Sequence, residues 1–465
     1  MRFFSFYACL FFYWLIFSVM LAVGGVYSDS VASIAPLVLV SLFVFLGLLF
    51  VSLISLKLWV FCLPIVVIFL PNLVNDIFPS FPMGPSSEVI TADYSVISHI
   101  DVYFMALAFH LFRLSSSLKF ESKDLLFVFL TLIVFIVYLI SSIRYFDSPD
   151  LFGLFLSGTY QIRYFYYGLL FAIVFDFRRH FQYFVLGVVV GLAFLCVESV
   201  IYSVSQNNAR LSSGNYGVNV FANALVLISV YLLLCTKRLK KEVKIIIYTS
   251  VILALICILL SGTRVALFSI FVGLTFYSVL LCADRGSVNL RFVASVLLIL
   301  VPLTFCIYFV VAYFDIMYKY FGHEAMSSLV TRGTLWVSSI EIFSKNVLGA
   351  GNLMFNVLRY EIYDVPILLD PHSDYFGFLV SYGFFGVLVW PAFVIYVFCS
   401  TIKLSRSHFA FWSYKFTVYF SLSVLFVSSI TNSNFQKHQL FMLCIILFFS
   451  AFRESSNLIF IRNQK

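Results

Sequence analysis

The sequence predicts an all-α fold, a polytopic transmembrane helix bundle of about 14 spans with one large, partly helical loop on the outer face. Three observations predict it. Hydrophobic residues make up 62% of the chain against 11% charged, with a mean hydropathy of +1.05, a composition outside the range of soluble domains. Apolar runs of about 17 to 25 residues recur along the chain, the length that carries an α-helix across a hydrocarbon core. The Lys and Arg residues fall mainly on alternate loops, the bias that sets orientation in a membrane. Lipid offers the backbone no hydrogen bonds, so each run must satisfy its own amides as a helix.

In chain order the runs extend approximately over Phe3 to Tyr27, Val31 to Ile54, Leu58 to Val74, Val96 to Phe112, Leu125 to Ile143, Tyr164 to Phe177 and Phe181 to Val204. They continue over Val218 to Cys235, Ile245 to Gly262, Val265 to Cys282, Phe292 to Phe314, Tyr375 to Ser400, Phe416 to Ile430 and Gln439 to Phe452. The first run is longer than the roughly 7 to 15 residues of a signal-peptide core, and no small-x-small cleavage site follows it, so it is read as a retained span. Four segments result. Residues 1–314 form an N-terminal bundle of about 11 helices, 315–374 a large hydrophilic loop, 375–452 the C-terminal helices and 453–465 a tail.

Orientation follows from the basic residues. With the N-terminus inside, that face gathers Arg2, Lys57, Arg113, Arg178, Arg179, Lys237, Arg238, Lys240, Lys241, Lys244 and others, 20 of the 29 Lys and Arg. The opposite face holds Arg144, Arg163, Arg210, Arg264, Lys319, Arg332, Lys345, Arg359 and Lys437. The large loop is therefore outside and both termini are inside. The net charge of +8 is accounted for by short inner loops facing anionic headgroups, so no nucleic-acid partner is expected.

The nine cysteines fall inside or at the ends of the runs, with no CxxC pair and no disulfide framework. There is no P-loop, GxGxxG or HExxH motif. The expectation is a protein with no cofactor and no metal site, whose energy comes from its substrate or from a gradient.

The informative residues are the arginines on the outer face. Arg210 opens Arg-Leu-Ser-Ser-Gly-Asn-Tyr-Gly-Val-Asn219, which runs into the span from Val218. Arg264 ends Ser261-Gly-Thr-Arg in a tight turn between two spans. Each is open to two readings: snorkelling to headgroups or ordinary loop charge, or guanidiniums set to bind a diphosphate. In the outer loop, Arg332 begins Arg-Gly-Thr-Leu-Trp336, followed by an amphipathic stretch from Val337 to Phe343 and by Gly349-Ala-Gly351.

The outer loop closes with Asp370-Pro-His372-Ser-Asp374-Tyr, and Gly383 lies within the next span. A histidine beside two carboxylates at a helix mouth suits general-base work or the orienting of a hydroxyl. The alternative is that Ser373 or Asp374 merely caps the helix and His372 is idle. Arg359 is a further candidate for sugar or phosphate contact. Glu198, His99 and Asp101 lie near the outer ends of their spans, where ionisable residues are functional candidates or pair with one another.

These motifs resemble the superfamily of bacterial O-antigen polymerases and O-antigen ligases, polytopic membrane glycosyltransferases. The resemblance rests on Arg210 with Asn219, Ser261-Gly-Thr-Arg264, Arg332-x3-Trp336 leading to Gly349-x-Gly351, and His372-x10-Gly383. Val218 stands where proline often precedes the asparagine, and Ser373 where asparagine often follows the histidine.

The resemblance implies transfer of glycan from an undecaprenyl-diphosphate carrier on the periplasmic face of the bacterial inner membrane, in lipopolysaccharide biosynthesis. Catalysis would fall to His372, Arg332 and Arg264, and substrate binding to Arg210 and Asn219; Asp370, Asp374, Glu198 and Arg359, the last carried by none of these motifs, are substrate-binding candidates on their own residue chemistry. Expected partners are the undecaprenyl-diphosphate-linked glycan and membrane lipids, with a chain-length regulator and a flippase as candidates.

The leading reading is a polymerase joining lipid-linked repeat units, since about 14 spans exceed the roughly twelve usual for ligases of the family. The ligase that moves glycan to lipid A core is the alternative. A transporter or flippase of the same lipid-linked sugar is the reading from a different class, against which stand the lack of a visible repeat and charges that sit at the outer surface.

Overall fold

A computed structural model describes residues 34–68, 98–114, 132–133, 135–143, 160–205, 210–212, 218–236, 239–263, 266, 269–270, 332–352, 354–363, 371–386, 440–447 and 449–450. Among these residues the regular structure is helical and no strand occurs. Among the described residues, three helical stretches are long and apolar enough to cross a membrane, Arg179–Val204, Val218–Cys235 and Lys241–Ser261. The protein is an all-α membrane protein. Of the other predicted runs, those near 3–27, 292–314 and 416–430 lie outside the described residues.

The chain divides into two compact units. The first contains residues 1–80, 97–119 and 174–263, the second 81–96, 120–173 and 264–465.

In the first unit the helices Ile34–Ile54 and Leu56–Ile68 are separated by Ser55 alone. Trp59 and Tyr103 tie Leu56–Ile68 to the His99–Leu114 helix. Their rings stack at 5.5 Å, the Trp59 indole N–H donates to the Tyr103 carbonyl at 3.4 Å, and the Tyr103 hydroxyl donates to the Trp59 carbonyl at 2.8 Å. His99 donates through Nε2 to the Val66 carbonyl at 3.2 Å, meeting one of the acceptors left open at a helix C-terminus. Asp101 belongs to a capping box. Its Oδ2 accepts from the Ser98 amide at 2.6 Å, and its own amide donates to Ser98 Oγ at 3.3 Å. A structural use thus accounts for this buried carboxylate.

Against Leu56–Ile68 lies the Phe177–Ser205 helix, with Gly187 and Gly191 four residues apart at the contact. A side chain at Gly187 would run into the Phe61 carbonyl oxygen and meet Pro64 Cδ at 3.3 Å. Pro64 lies inside its helix and lacks an amide hydrogen for the ladder, and small residues let the two backbones close.

This long helix begins earlier than its apolar run, after a break at Phe175 and Asp176. The Asp176 carbonyl accepts from the Arg179 and His180 amides at 3.2 and 2.8 Å, and its amide donates to His180 Nδ1 at 3.0 Å. Arg178 and Arg179 therefore stand in the first turn, not in a loop.

Val218–Cys235 has the predicted bounds. In Lys241–Ser261 the buried face carries Ile247, Ser250, Val251, Ala254, Cys257, Ile258 and Ser261. Ile245, Ile246, Ile252, Ile256, Leu259 and Leu260 are exposed. An inward face that mixes small and branched residues, with large apolar residues outward, is the pattern of a helix solvated by acyl chains. Gly262 ends it in the left-handed conformation, φ 62°, its amide donating back to Leu259 O at 3.1 Å.

In the second unit the described helices are Tyr160–Val174, 332–345, Phe355–Tyr363, 374–386 and shorter stretches at 135–141 and 440–447. Tyr164 stacks on Phe441 at 6.3 Å. A Cβ at Gly168 would collide with the side chains of Ile445 and Phe449, so these two helices touch through a glycine. The predicted amphipathic stretch is helical. Leu335, Ser338, Ser339 and Ile342 are buried, at the i, i+3, i+4, i+7 positions of one face, while Val337 and Ile340 are exposed.

Candidate functional site

Two groups of motif residues can be built from the chain upward, one in each unit. The first is held by the end of Lys241–Ser261. Once Gly262 turns the chain, the Ser261 carbonyl is free of the helical ladder. Arg210 takes it, Nε donating at 2.8 Å, while Nη2 donates to Thr263 Oγ1 at 3.4 Å. Ser261 Oγ donates to Thr263 Oγ1 at 3.1 Å, and Thr263 Oγ1 reaches the Val218 carbonyl at 3.5 Å.

Backbone contacts support the same arrangement. The Leu211 amide donates to Leu260 O at 3.3 Å, and Ser212 N donates to Ser203 Oγ at 2.9 Å. Arg210 is therefore no ordinary loop charge, since two of its donors hold the Ser261-Gly-Thr turn, yet its side chain remains on the exposed surface. Asn219 is half-buried in the first turn of Val218–Cys235. Arg264, one residue beyond this cluster, lies outside the described residues, and Glu198 is half-buried on the Phe177–Ser205 helix.

The second group centres on the 374–386 helix. Ser373 accepts the Gly377 amide on its carbonyl at 2.9 Å, which makes it the residue that starts the helix. His372 precedes it with φ 49°. A left-handed backbone is uncommon for a residue with a Cβ and costs about 1 kcal/mol or more. Strain of this kind is retained where the surroundings hold a side chain for a purpose. The ring is half-buried, whereas Ser373 and Asp374 are buried. The capping and functional readings of this motif are compatible: the serine starts the helix and the histidine is presented at its mouth. Asp370 lies outside the described residues.

Arg332 stands near the start of the 332–345 helix. It is half-buried, and partial burial draws its pKa below the usual arginine value, although a guanidinium keeps its charge throughout the physiological range. One turn on, Trp336 stacks on Phe376 at 5.3 Å and 20° between planes. The Arg332-x3-Trp336 motif thus docks on the helix that follows His372.

The glycine motifs meet there as well. Gly349 and Gly351 have φ of 99° and 100°, and Gly383 has φ 63°. Ala350 N donates to Val380 O at 2.8 Å, Gly351 N to Ser381 O at 3.0 Å, and Phe384 N to Val347 O at 3.0 Å. The loop therefore takes carbonyls of the 374–386 helix where Gly383 interrupts the ladder. A Cβ at Gly349 would stand 2.6 Å from Ser381 O, so only glycine lets the strands of backbone meet.

Sequence reasoning named the motif residues but not Phe376, nor Ser261 and Thr263 as the acceptors of Arg210. Phe376 lies 40 residues from Trp336 in an aromatic-rich run, so it had no local signal. Within the second unit, a half-buried cation and a strained histidine suit an anionic, hydroxyl-bearing ligand.

Residues 249–390 match a family model described as O-antigen ligase. The matched stretch contains Ser261-Gly-Thr-Arg264, Arg332, Trp336, both glycine motifs and His372, but not Arg210 or Asn219. The match supports the O-antigen polymerase and ligase superfamily, and with it a membrane glycosyltransferase-like enzyme of O-antigen biosynthesis. No curated protein matches the chain.

Proposed function

We propose that this protein is an O-antigen polymerase, joining undecaprenyl-diphosphate-linked oligosaccharide repeat units on the periplasmic face of the bacterial inner membrane. The observation that carries the reading is the ordered set Ser261-Gly-Thr-Arg264, Arg332-x3-Trp336 and His372-x10-Gly383 inside the matched stretch. The chain reads as about 14 spans, with residues 315–374 as the periplasmic loop, 1–314 and 375–452 as the membrane bundle, and 453–465 cytoplasmic.

The reaction follows from charge. An acceptor sugar hydroxyl attacks the anomeric carbon of the lipid-linked sugar. The bond from that carbon to the phosphate oxygen breaks, and the diphosphate leaves with the electron pair. Arg264 and Arg332 offset the charge that develops on it, an interaction stronger in the transition state than in the ground state. Arg210 is a further phosphate contact. His372 takes the proton of the attacking hydroxyl or orients it. Asn219, Asp374, Asp370 and Glu198 are assigned to the glycan.

The ligase reading is favoured by the description of the matched family and by nothing else in the chain. The two differ only in acceptor, so the surface polysaccharide of a host lacking the gene separates them. Lipid A core bearing one repeat unit establishes the polymerase. Bare core, with long glycan left on its carrier, establishes the ligase. An unchanged ladder overturns both. In purified protein, His372→Ala should lower transfer by about 100-fold or more while the melting temperature stays near that of the unaltered protein; full activity removes His372 from the mechanism.

A further inference from the structure

Arg359 stands on the Phe355–Tyr363 helix, directly after the glycine loop. Met354 N donates to Gly351 O at 3.4 Å and Leu358 N to Met354 O at 3.0 Å, so the loop that grips the 374–386 helix also launches this one. Arg359 is only 6% exposed, and its neighbours Val357 and Leu358 are buried too, at 4% each. Its Nε and Nη1 are buried and have no hydrogen-bond partner among the described residues.

A guanidinium cannot escape such a site by losing its proton. A fixed charge largely removed from water with donors left unmet among the described residues is costly for a fold to hold. Both open groups are donors on different edges of the guanidinium, so each calls for an acceptor oxygen, and the fixed positive charge favours an anionic one. The same compact unit holds another buried donor without an acceptor among the described residues, the indole N–H of Trp336.

We propose that Arg359 is an oxyanion-binding residue, and that the outer loop takes a phosphoryl or carboxylate group there. The chemical sources are the diphosphate of a lipid-linked donor or the carboxylate of an acidic sugar. The inference rests on burial and hydrogen bonding, not on the transfer reaction, and binding in a protein without transfer activity would separate the two.

The test uses the full chain in nanodiscs of zwitterionic phosphatidylcholine, which removes anionic headgroups as a competing source. Thermal unfolding is followed with inorganic pyrophosphate and, separately, with glucuronate. Without either probe, Arg359→Met should melt higher than the unaltered protein, because the unpaired charge is gone. It should also bind the stabilising probe about tenfold more weakly or worse. Arg359→Lys keeps the charge but loses the two-edged donor set, and should fall between them. A shift with pyrophosphate that Arg359→Met loses assigns the diphosphate; one with glucuronate assigns an acidic sugar. Arg359→Met that melts lower, fails to fold or responds to the probe like the unaltered protein overturns the proposal, as does an unaltered protein that answers neither probe.

Discussion

Gly187 and Gly349 each let two stretches of backbone meet closely, yet for different physical reasons. At Gly187, in the first unit, the backbone is that of an ordinary helix, and glycine is needed only because the Phe61 carbonyl occupies the place of a side chain. At Gly349, in the second unit, the left-handed backbone itself excludes other residues, and the contact is a set of hydrogen bonds between loop and helix. The first arrangement serves packing in a solvent of acyl chains, where apolar faces gain little by meeting each other and close approach decides association. The second holds Arg332, Trp336 and His372 on one framework. Glycine near a membrane therefore has two uses, and its backbone angle distinguishes them.

Substitutions along this series should rank by that distinction. The largest effect is expected at Gly383→Val, where φ is 63° and a Cβ would meet Val347 O and Gly349 N. A loss of about 3 kcal/mol or more, with transfer activity abolished, is expected by thermal unfolding and in vitro assay. If this variant unfolds no earlier than the original, the loop is not locked to the helix as described.

Next comes Gly187→Ala, expected to cost about 1–3 kcal/mol through overpacking, with specific activity of the folded fraction retained. Loss of activity without loss of stability there would erase the contrast between the two regions. Gly191→Ala should cost less, about 1 kcal/mol, because its nearest atoms, Ile68 Cδ1 and Cβ at 3.1 and 3.2 Å and the Pro64 carbonyl oxygen at 3.3 Å, stand farther off than the Phe61 carbonyl does at Gly187. Gly333→Ala should have the opposite sign. Nothing lies within 4 Å of a Cβ there and the residue is helical, so a gain of about 0.5–1 kcal/mol is expected from the lowered entropy of the unfolded chain. A melting temperature that falls instead would mean that another group covers this face.

Much of the described helical structure was legible. Val218–Cys235 matches its apolar run, and the Ser-Gly-Thr sequence marks the end of Lys241–Ser261 through Gly262. The helix after Phe175 was misjudged by several residues, because two arginines read as a loop while Asp176 caps the helix ahead of them. Asp101 was open to a functional reading, although Ser-x-x-Asp is also a capping pattern. The candidate site was legible as residue types and spacing, but its pairings were not. Arg210 and Ser261 are 51 residues apart, and nothing local to either announces the other.

By itself the sequence determined that this chain is helical and lies in a membrane, because long apolar runs leave the backbone no partner except its own helix. It also named the arginines, glycines and histidine of the motifs. Only the tertiary structure decided which of them meet. Lipid satisfies every apolar face equally, so helix partners are chosen by small residues and by donors finding acceptors. Those matches exist only once distant segments are folded together, as Trp336 is on Phe376 and Gly349 on Gly383.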